Sequence, residues 1–265
     1  MAKREKESYG IQSVTNALNL LEQFKGGRDE LGVTDLSNKM ELHKNKVFRL
    51  LATLEARGYI EQNKATENYR LGVKSLELGQ AFIKQNGLVR QVKPFLKEIV
   101  KQCNEMAYIG SILQRSVVYL DVEEPNQTVK VANRIGWRVP MHCTAIGKAQ
   151  IADLSEEELG KLGVLDNLDK FTENTIVDRT KFIRHLKEVA KRGYAIDNEE
   201  YNSGVSCVGV PVRNYTGRVV GGISVCGPSF RMTDELLKTK IIPLVKDVGE
   251  KVSKRLGFGV EDEVD

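Results

Sequence analysis

At Gly58 the apolar spacing of this chain changes period, and that change leaves few folds open to residues 11–71. Before it, three stretches repeat apolar residues at three- and four-residue steps, the pattern of helices with one buried face. Ile11, Val14, Leu18, Leu21 and Phe24 mark the first, which should stop at Gly26-Gly27. A shorter helix should start near Thr34, with Thr34 as its cap, Asp35 in its first turn, and Leu36 and Met40 turned inward. After a turn at Glu41-Leu42 a third helix runs from His43 to Arg57 with Val47, Leu50, Leu51 and Leu54 on its buried side. Beyond Gly58 the alternation in Tyr59-Ile60-Glu61-Gln62 and Tyr69-Arg70-Leu71, around a polar turn over 63–68, predicts a β-hairpin.

Three helices and a hairpin make a winged helix-turn-helix. In that geometry the start of the third helix meets base edges in the major groove, and the preceding helix crosses the backbone. The outer side of the third helix carries Lys44, Asn45, Lys46, Arg49 and Thr53. Asn45 suits adenine, Arg49 or Lys46 suits guanine or a phosphate, and Lys64 and Arg70 of the wing suit phosphates. The alternative is a small helical domain whose polar face meets only water. That would require neither the clustering of Lys, Asn and Arg at one helix end nor the hairpin behind it.

Net charge gives this expectation little help. The chain totals +4, and residues 1–86 carry 14 Lys and Arg against 11 Asp and Glu, leaving 26 against 25 for residues 87–265. Binding to nucleic acid must therefore come from a local, shaped basic surface. No apolar run approaches the roughly 20 residues of a membrane span, and the start MAKREKESYG lacks the apolar segment of a secretory signal, so a cytoplasmic protein is expected. Cys103, Cys143, Cys207 and Cys226 are widely separated and suit buried thiols in a reducing compartment. The acidic run from Glu261 to Asp265 is read as a solvated tail.

The runs IQSVTNALNLLEQF, VTDLSNKMELHKNKVFRLLATLEARGYIEQ and YRLGVKSLELGQ resemble the DNA-binding domain of the IclR family of bacterial transcriptional regulators. The resemblance continues through VPMHCTAIGKAQIA, DNEEYNSGVSCVGVPVRNYTGRVVGGISVCGP and the long terminal helix. It departs in the recognition helix, where many members have Pro-Lys-Ser-Thr and this chain has His43-Lys44-Asn45-Lys46. General docking is thus implied, but no operator sequence is.

Residues 74–85 carry Leu76, Leu78, Ala81, Phe82 and Ile83, too apolar for a free linker. They predict a connecting helix, which the resemblance implies packs in a dimer; the alternative is a helix packed on its own chain. A further amphipathic helix follows from Leu88 to Cys103. Strand-like runs at 107–114, 117–123, 205–213 and 219–226 then alternate with helices at 144–152, 178–192 and 233–256. This is an α+β sheet domain, and the resemblance makes it a GAF-like antiparallel sheet with a ligand cavity. The expected divisions are a winged helix-turn-helix over 1–72, a linker helix over 73–86, an effector-binding domain over 87–258 and a tail over 259–265.

Within that larger domain, Thr144 should cap a helix whose free N–H groups near Ala145 and Ile146 make a place for a carboxylate. The resemblance implies an effector held at Ala145, Ile146, Asp197, Cys207 and Ser224, with help from Cys226 and from a loop near Thr128 to Val131. Members that bind small 2-oxo acids often have serine at the position of Cys226, and a thiol is the weaker hydrogen-bond partner. Taken singly, Thr144 reads as a helix cap and both cysteines as core filler.

His142 beside Cys143, with two more thiols on nearby strands, raises a metal alternative, but the spacing matches no closed Cys/His pattern and neither metal nor cofactor is expected. An enzyme is not expected either. His142 and Cys143, read as neighbours on one strand, would point to opposite faces, and no P-loop, G-x-S-x-G or H-E-x-x-H is present. The expectation is a homodimeric or tetrameric transcriptional regulator, a repressor, that binds double-stranded operator DNA. A small carboxylated or aromatic metabolite, an organic acid, would control it. The alternative is a DNA-binding dimer whose larger domain serves only oligomerisation.

Overall fold

In the computed structural model, which describes residues 10–25 and 29–259, the N-terminal helical spacing becomes α1 (Gln12–Glu22), α2 (Val33–Met40) and α3 (Lys44–Ala56). The expected stop at Gly26-Gly27 and the acidic run from Glu261 lie outside the described residues. The chain divides between Gln85 and Asn86 into two units.

In the first unit, Leu20 of α1 and Phe24 in the turn just after it join Leu36, Val47, Leu51, Ile60 and Tyr69 in one core. The face expected for α1 is corrected. Ile11, Val14 and Leu18 are 66%, 51% and 57% exposed, while Asn16 and Leu20 are buried. The core side is set by Ala17, Leu20 and Leu21 of the helix and by Phe24 just beyond it, so of the expected face Leu21 and Phe24 pack inward and Ile11, Val14 and Leu18 do not. Thr34 is not the cap of α2. Leu31 and Tyr69 exchange two backbone hydrogen bonds of 2.9 Å, so strand pairing ends there and Gly32 makes the turn, its N–H reaching Asp35 Oδ2 at 3.4 Å. Glu41 then takes the left-handed conformation (φ 53°), and Ser37 Oγ donates to Leu42 O at 2.6 Å, closing the turn into α3.

The wing pairs β1 (Ile60–Gln62) with β2 (Tyr69–Leu71), Glu61 opposite Arg70. Its tip is tied back by Glu30, which accepts from Asn63 Nδ2 at 2.6 Å and Thr66 Oγ1 at 2.7 Å. Those hydrogen bonds, Thr66 first, hold the Glu30 carboxyl below its ordinary range. The connecting helix α4 (Val73–Gln85) buries no side chain, leaving Val73, Leu76, Leu78 and Phe82 at least half exposed.

The second unit is a six-stranded antiparallel sheet in the order β5-β4-β3-β8-β7-β6, formed by β3 (Met106–Leu113), β4 (Ser116–Glu123), β5 (Arg138–Val139), β6 (Ala195–Asn198), β7 (Val205–Arg213) and β8 (Val219–Pro228). α5 (Gly87–Cys103) starts at Asn86, whose side chain accepts from Val89 N at 3.3 Å, and shares one sheet face with α10 (Ile242–Arg255). The opposite face carries α6 (Ala145–Ile151), with the short α7 (Glu156–Lys161) and α8 (Arg179–Arg192) beyond. The single terminal helix expected over 233–256 is interrupted. Thr233 caps α9 (Asp234–Leu236), a π-helical turn follows over Leu237–Ile241, and α10 continues from there.

Candidate functional site

On α3 the buried stripe of Val47, Leu51 and Leu54 turns the opposite side of the helix to solvent, where Asn45, Lys46, Arg49 and Thr53 are exposed, and Lys44 is exposed at the helix start, one turn before Val47. Among the described residues Lys44, Lys46 and Arg49 form no ion pair, so their charge is available to a polyanion. Two candidates are partly committed elsewhere: the Thr53 hydroxyl donates to Arg49 O at 2.8 Å, and Arg70 Nε pairs with Glu61 across the wing at 2.6 Å. Lys64 stands exposed in the wing turn. Phe48, 56% exposed on the same side of α3, was absent from the expected contacts because that list was drawn from polar residues.

The second candidate site lies under α6. Strand register places Asp197 beside Cys207, Cys207 beside Cys226 and Cys226 beside Met106 in one row across β6, β7, β8 and β3. Gly209, Ser224 and Tyr108 form a second row on the same face. α6 lies close above because Gly209 has no side chain. A Cβ there would stand 2.6 Å from the Ala145 carbonyl and 2.8 Å from Ile146 N. Thr144 caps the helix, accepting from Gly147 N at 3.2 Å and donating to Pro140 O at 2.6 Å.

A cavity of about 20 Å³ is bounded by these rows and the α6 start, so Ala145, Ile146, Asp197, Cys207, Ser224 and Cys226 come together as expected. Its volume suffices for about one water. Thr128 is not part of it. That residue is exposed, and the loop is held by Lys130 and Asn133 on Glu124 at 2.7 and 2.8 Å, so it reaches the cavity through Val131 and Arg134 instead. Tyr108, Tyr119 and Tyr201 complete the wall. Arg134 lies over the rings of Trp137 and Tyr201 at 5.7 and 5.8 Å and makes no ion pair among the described residues.

Behind the cavity sits a charged cluster that sequence spacing does not bring together. Lys148 is fully buried, ion-paired with Glu200, and donates to Ile196 O at 2.6 Å. Asp197 accepts from Glu200 N at 2.7 Å. Burial, then the Glu200 charge, pushes the Asp197 carboxyl up to about 7 against the pull of Lys148. Burial also raises Glu200, whose second oxygen has no partner. Cys207 is driven up by its thiol contact with Cys226 and by burial, and Tyr108 and Tyr119 are driven up chiefly by burial, so these three groups stay neutral and the charge in the wall comes from Arg134 and Asp197.

Residues 141–144 form a bent loop rather than a strand, so the opposite-faces argument for His142 and Cys143 does not apply. Both are buried. The His142 ring contacts Asp169 O at 3.0 Å, and burial with two neighbouring carboxyls raises the Cys143 thiol, the reverse of an activated nucleophile. Among the described residues no three His, Cys, Asp or Glu side chains converge as metal ligands, and no helix is long and apolar enough to cross a membrane.

Two family models match the chain: the IclR helix-turn-helix domain over residues 13–64 and the C-terminal domain of bacterial transcriptional regulator IclR over 80–254. The HTH-type transcriptional regulator XynR of Escherichia coli is 35% identical over 248 residues, covering 94% of this chain and 98% of that protein. The crystal structure of the Thermotoga maritima IclR is similar with a TM-score of 0.77 and 27% identity, over 94% of this chain and 100% of that one. An IclR homologue from Microbacterium hydrocarbonoxydans, crystallised with 4-hydroxybenzoate, shares the fold with a TM-score of 0.77 at 18% identity, over 92% and 98% of the two chains.

Proposed function

The chain belongs to the IclR family of bacterial transcriptional regulators, and on that footing we propose that it is a cytoplasmic repressor. Its winged helix-turn-helix binds operator DNA, and its larger domain answers to a small organic acid. The observation that carries the DNA half is the exposed cluster of Lys44, Asn45, Lys46 and Arg49 at the start of α3, whose cations form no ion pair among the described residues. Asn45 and Arg49 read base edges, Lys44 and Lys46 hold phosphates, and Lys64 and Arg70 bind the backbone from the wing, with Arg70 leaving Glu61 to do so. Thr53 acts at the margin, its hydroxyl already engaged. A dimer seated across a promoter blocks the polymerase by occupancy, which gives the repressive sign.

The effector lies in the cavity between α6 and the sheet. Its carboxylate faces the N–H groups of Ala145 and Ile146, and its second polar group faces Ser224 and Asp197. The cavity at about 20 Å³ must open to admit it. The irregular segments that carry Val131 and Arg134, and Tyr201 and Asn202, are parts of the wall with no helix or strand ladder to break, the first held to the sheet by the Tyr108 hydroxyl donating to Ala132 O at 2.7 Å. The ligand acts by favouring one arrangement of the two units, with residues 73–86 as the covalent route between them. No chemical turnover is assigned, and burial holds the thiols of Cys143 and Cys207 in their protonated form.

One observation favours a second account, in which the larger domain only oligomerises: the cavity as it stands is nearly filled. A thermal-shift screen of the full chain across organic acids separates the two. Stabilisation by one acid, lost in Asp197→Ala and Ser224→Ala, supports the effector; no stabilisation by any acid favours oligomerisation alone. For the DNA half, Asn45→Ala and Arg49→Ala should each cost about 1–3 kcal/mol of specific binding in gel shifts at fixed salt. Lys64→Ala should instead weaken all sequences alike and flatten the salt dependence. Unchanged specific affinity in the α3 variants would refute the assignment.

A further inference from the structure

The exposed positions of α3 form two kinds of surface. Lys46 and Thr53 lie on one flank, Asn45, Arg49 and Ala52 run along the outer side at four- and three-residue steps, and Phe48 lies beside them, three residues from Asn45 and four from Ala52, all exposed. Phe48 is therefore not a stray core residue. The core stripe is already complete with Val47, Leu51 and Leu54, and Phe48 takes no part in the cluster they join. A phenyl ring 56% exposed beside a candidate adenine reader, three residues before it on the helix, leaves apolar surface in water that a partner can cover. The major groove offers one apolar group, the C5-methyl of thymine. Asn45, if it pairs with adenine, stands at an A·T step whose thymine carries that methyl on the same groove edge, and Phe48 is one helical turn away.

We propose that Phe48 is a specificity residue that reads a thymine methyl group in each operator half-site. The proposal rests on the DNA-binding reading above and adds to it a base identity that the polar residues do not supply.

The test begins by selecting operator duplexes from a random pool with the full chain, then replacing thymine by uracil one position at a time. Uracil keeps every hydrogen-bonding group and removes only the methyl. Wild-type protein should lose about fourfold in affinity at one thymine per half-site, the equivalent of one buried methyl group. Phe48→Ala should bind the thymine operator correspondingly less well and no longer distinguish thymine from uracil there. Phe48→Leu, which keeps an apolar contact, should retain part of the discrimination. Because the ring is exposed, both variants should melt like wild type. If uracil costs nothing at any position, or Phe48→Ala still discriminates, the assignment is overturned. Failure to enrich any sequence would instead remove the DNA-binding reading itself, and Phe48 with it.

Discussion

Asp197 sits where two demands conflict: it accepts a hydrogen bond from Glu200 N and lines the cavity, yet it is buried beside a second carboxyl with Lys148 as the shared cation. With its carboxyl raised from 3.8 to about 7, the folded protein binds this proton more readily than the unfolded chain between about pH 4 and 7. The contribution of Asp197 to stability therefore falls as pH rises through that window and levels off above it. Asp197→Asn cannot lose a proton, so its melting temperature should gain on wild type from pH 5 to about pH 7 and level off beyond; a constant offset from pH 5 to pH 8 would contradict the assignment. An anionic ligand beside Asp197 should bind more weakly above about pH 7 for the same reason. None of this was legible in the sequence. Lys148 and Glu200 are 52 positions apart, and only the approach of α6 to the end of β6 pairs them.

At the scale of elements, α6 depends on a missing side chain. Gly209→Ala would set a methyl 2.6 Å from the Ala145 carbonyl, against backbone that cannot swing aside. It should destabilise the fold by about 1–3 kcal/mol in urea unfolding. Gly160→Ala in α7, where a methyl meets nothing within 4 Å, should be neutral or stabilising by up to about 1 kcal/mol. Equal effects in the two variants would mean that α6 has slack. The helices and strands themselves were readable from period and punctuation, because a one-faced element writes its burial into its spacing. α1 shows where that fails: its expected face packs inward only at Leu21 and, just beyond the helix, Phe24, and spacing cannot say which members reach the core. The cavity wall was readable only as a family pattern. Arg134 lines the cavity and Thr128 does not, which the sequence did not show because an irregular loop has no period to fix which residue turns inward.

Across the whole molecule, apolar exposure is uneven. Of the eighteen exposed large apolar side chains among the described residues, nine belong to the unit ending at Gln85, including Ile11, Val14 and Leu18 of α1 and Val73, Leu76, Leu78 and Phe82 of α4. That is a large share for the smaller unit, and it supports a homodimer, with pairing into a tetramer as a further step. A dimer of winged helices calls for a near-palindromic operator with half-sites about one helical turn, or a multiple of it, apart. Leu76→Glu combined with Phe82→Glu should yield monomers in sedimentation at micromolar concentration. It should also weaken operator binding by about a hundredfold or more, since the second head no longer binds from the first. Wild-type protein that sediments as a monomer would remove this account. If the chain dimerises through α1 and α4, then wherever subunits are scarce the dimer forms in proportion to the square of subunit concentration, so halving the protein leaves about a quarter of the dimer. Growth alone, by diluting the repressor faster than it is made, would then begin to release its promoters before any metabolite arrives.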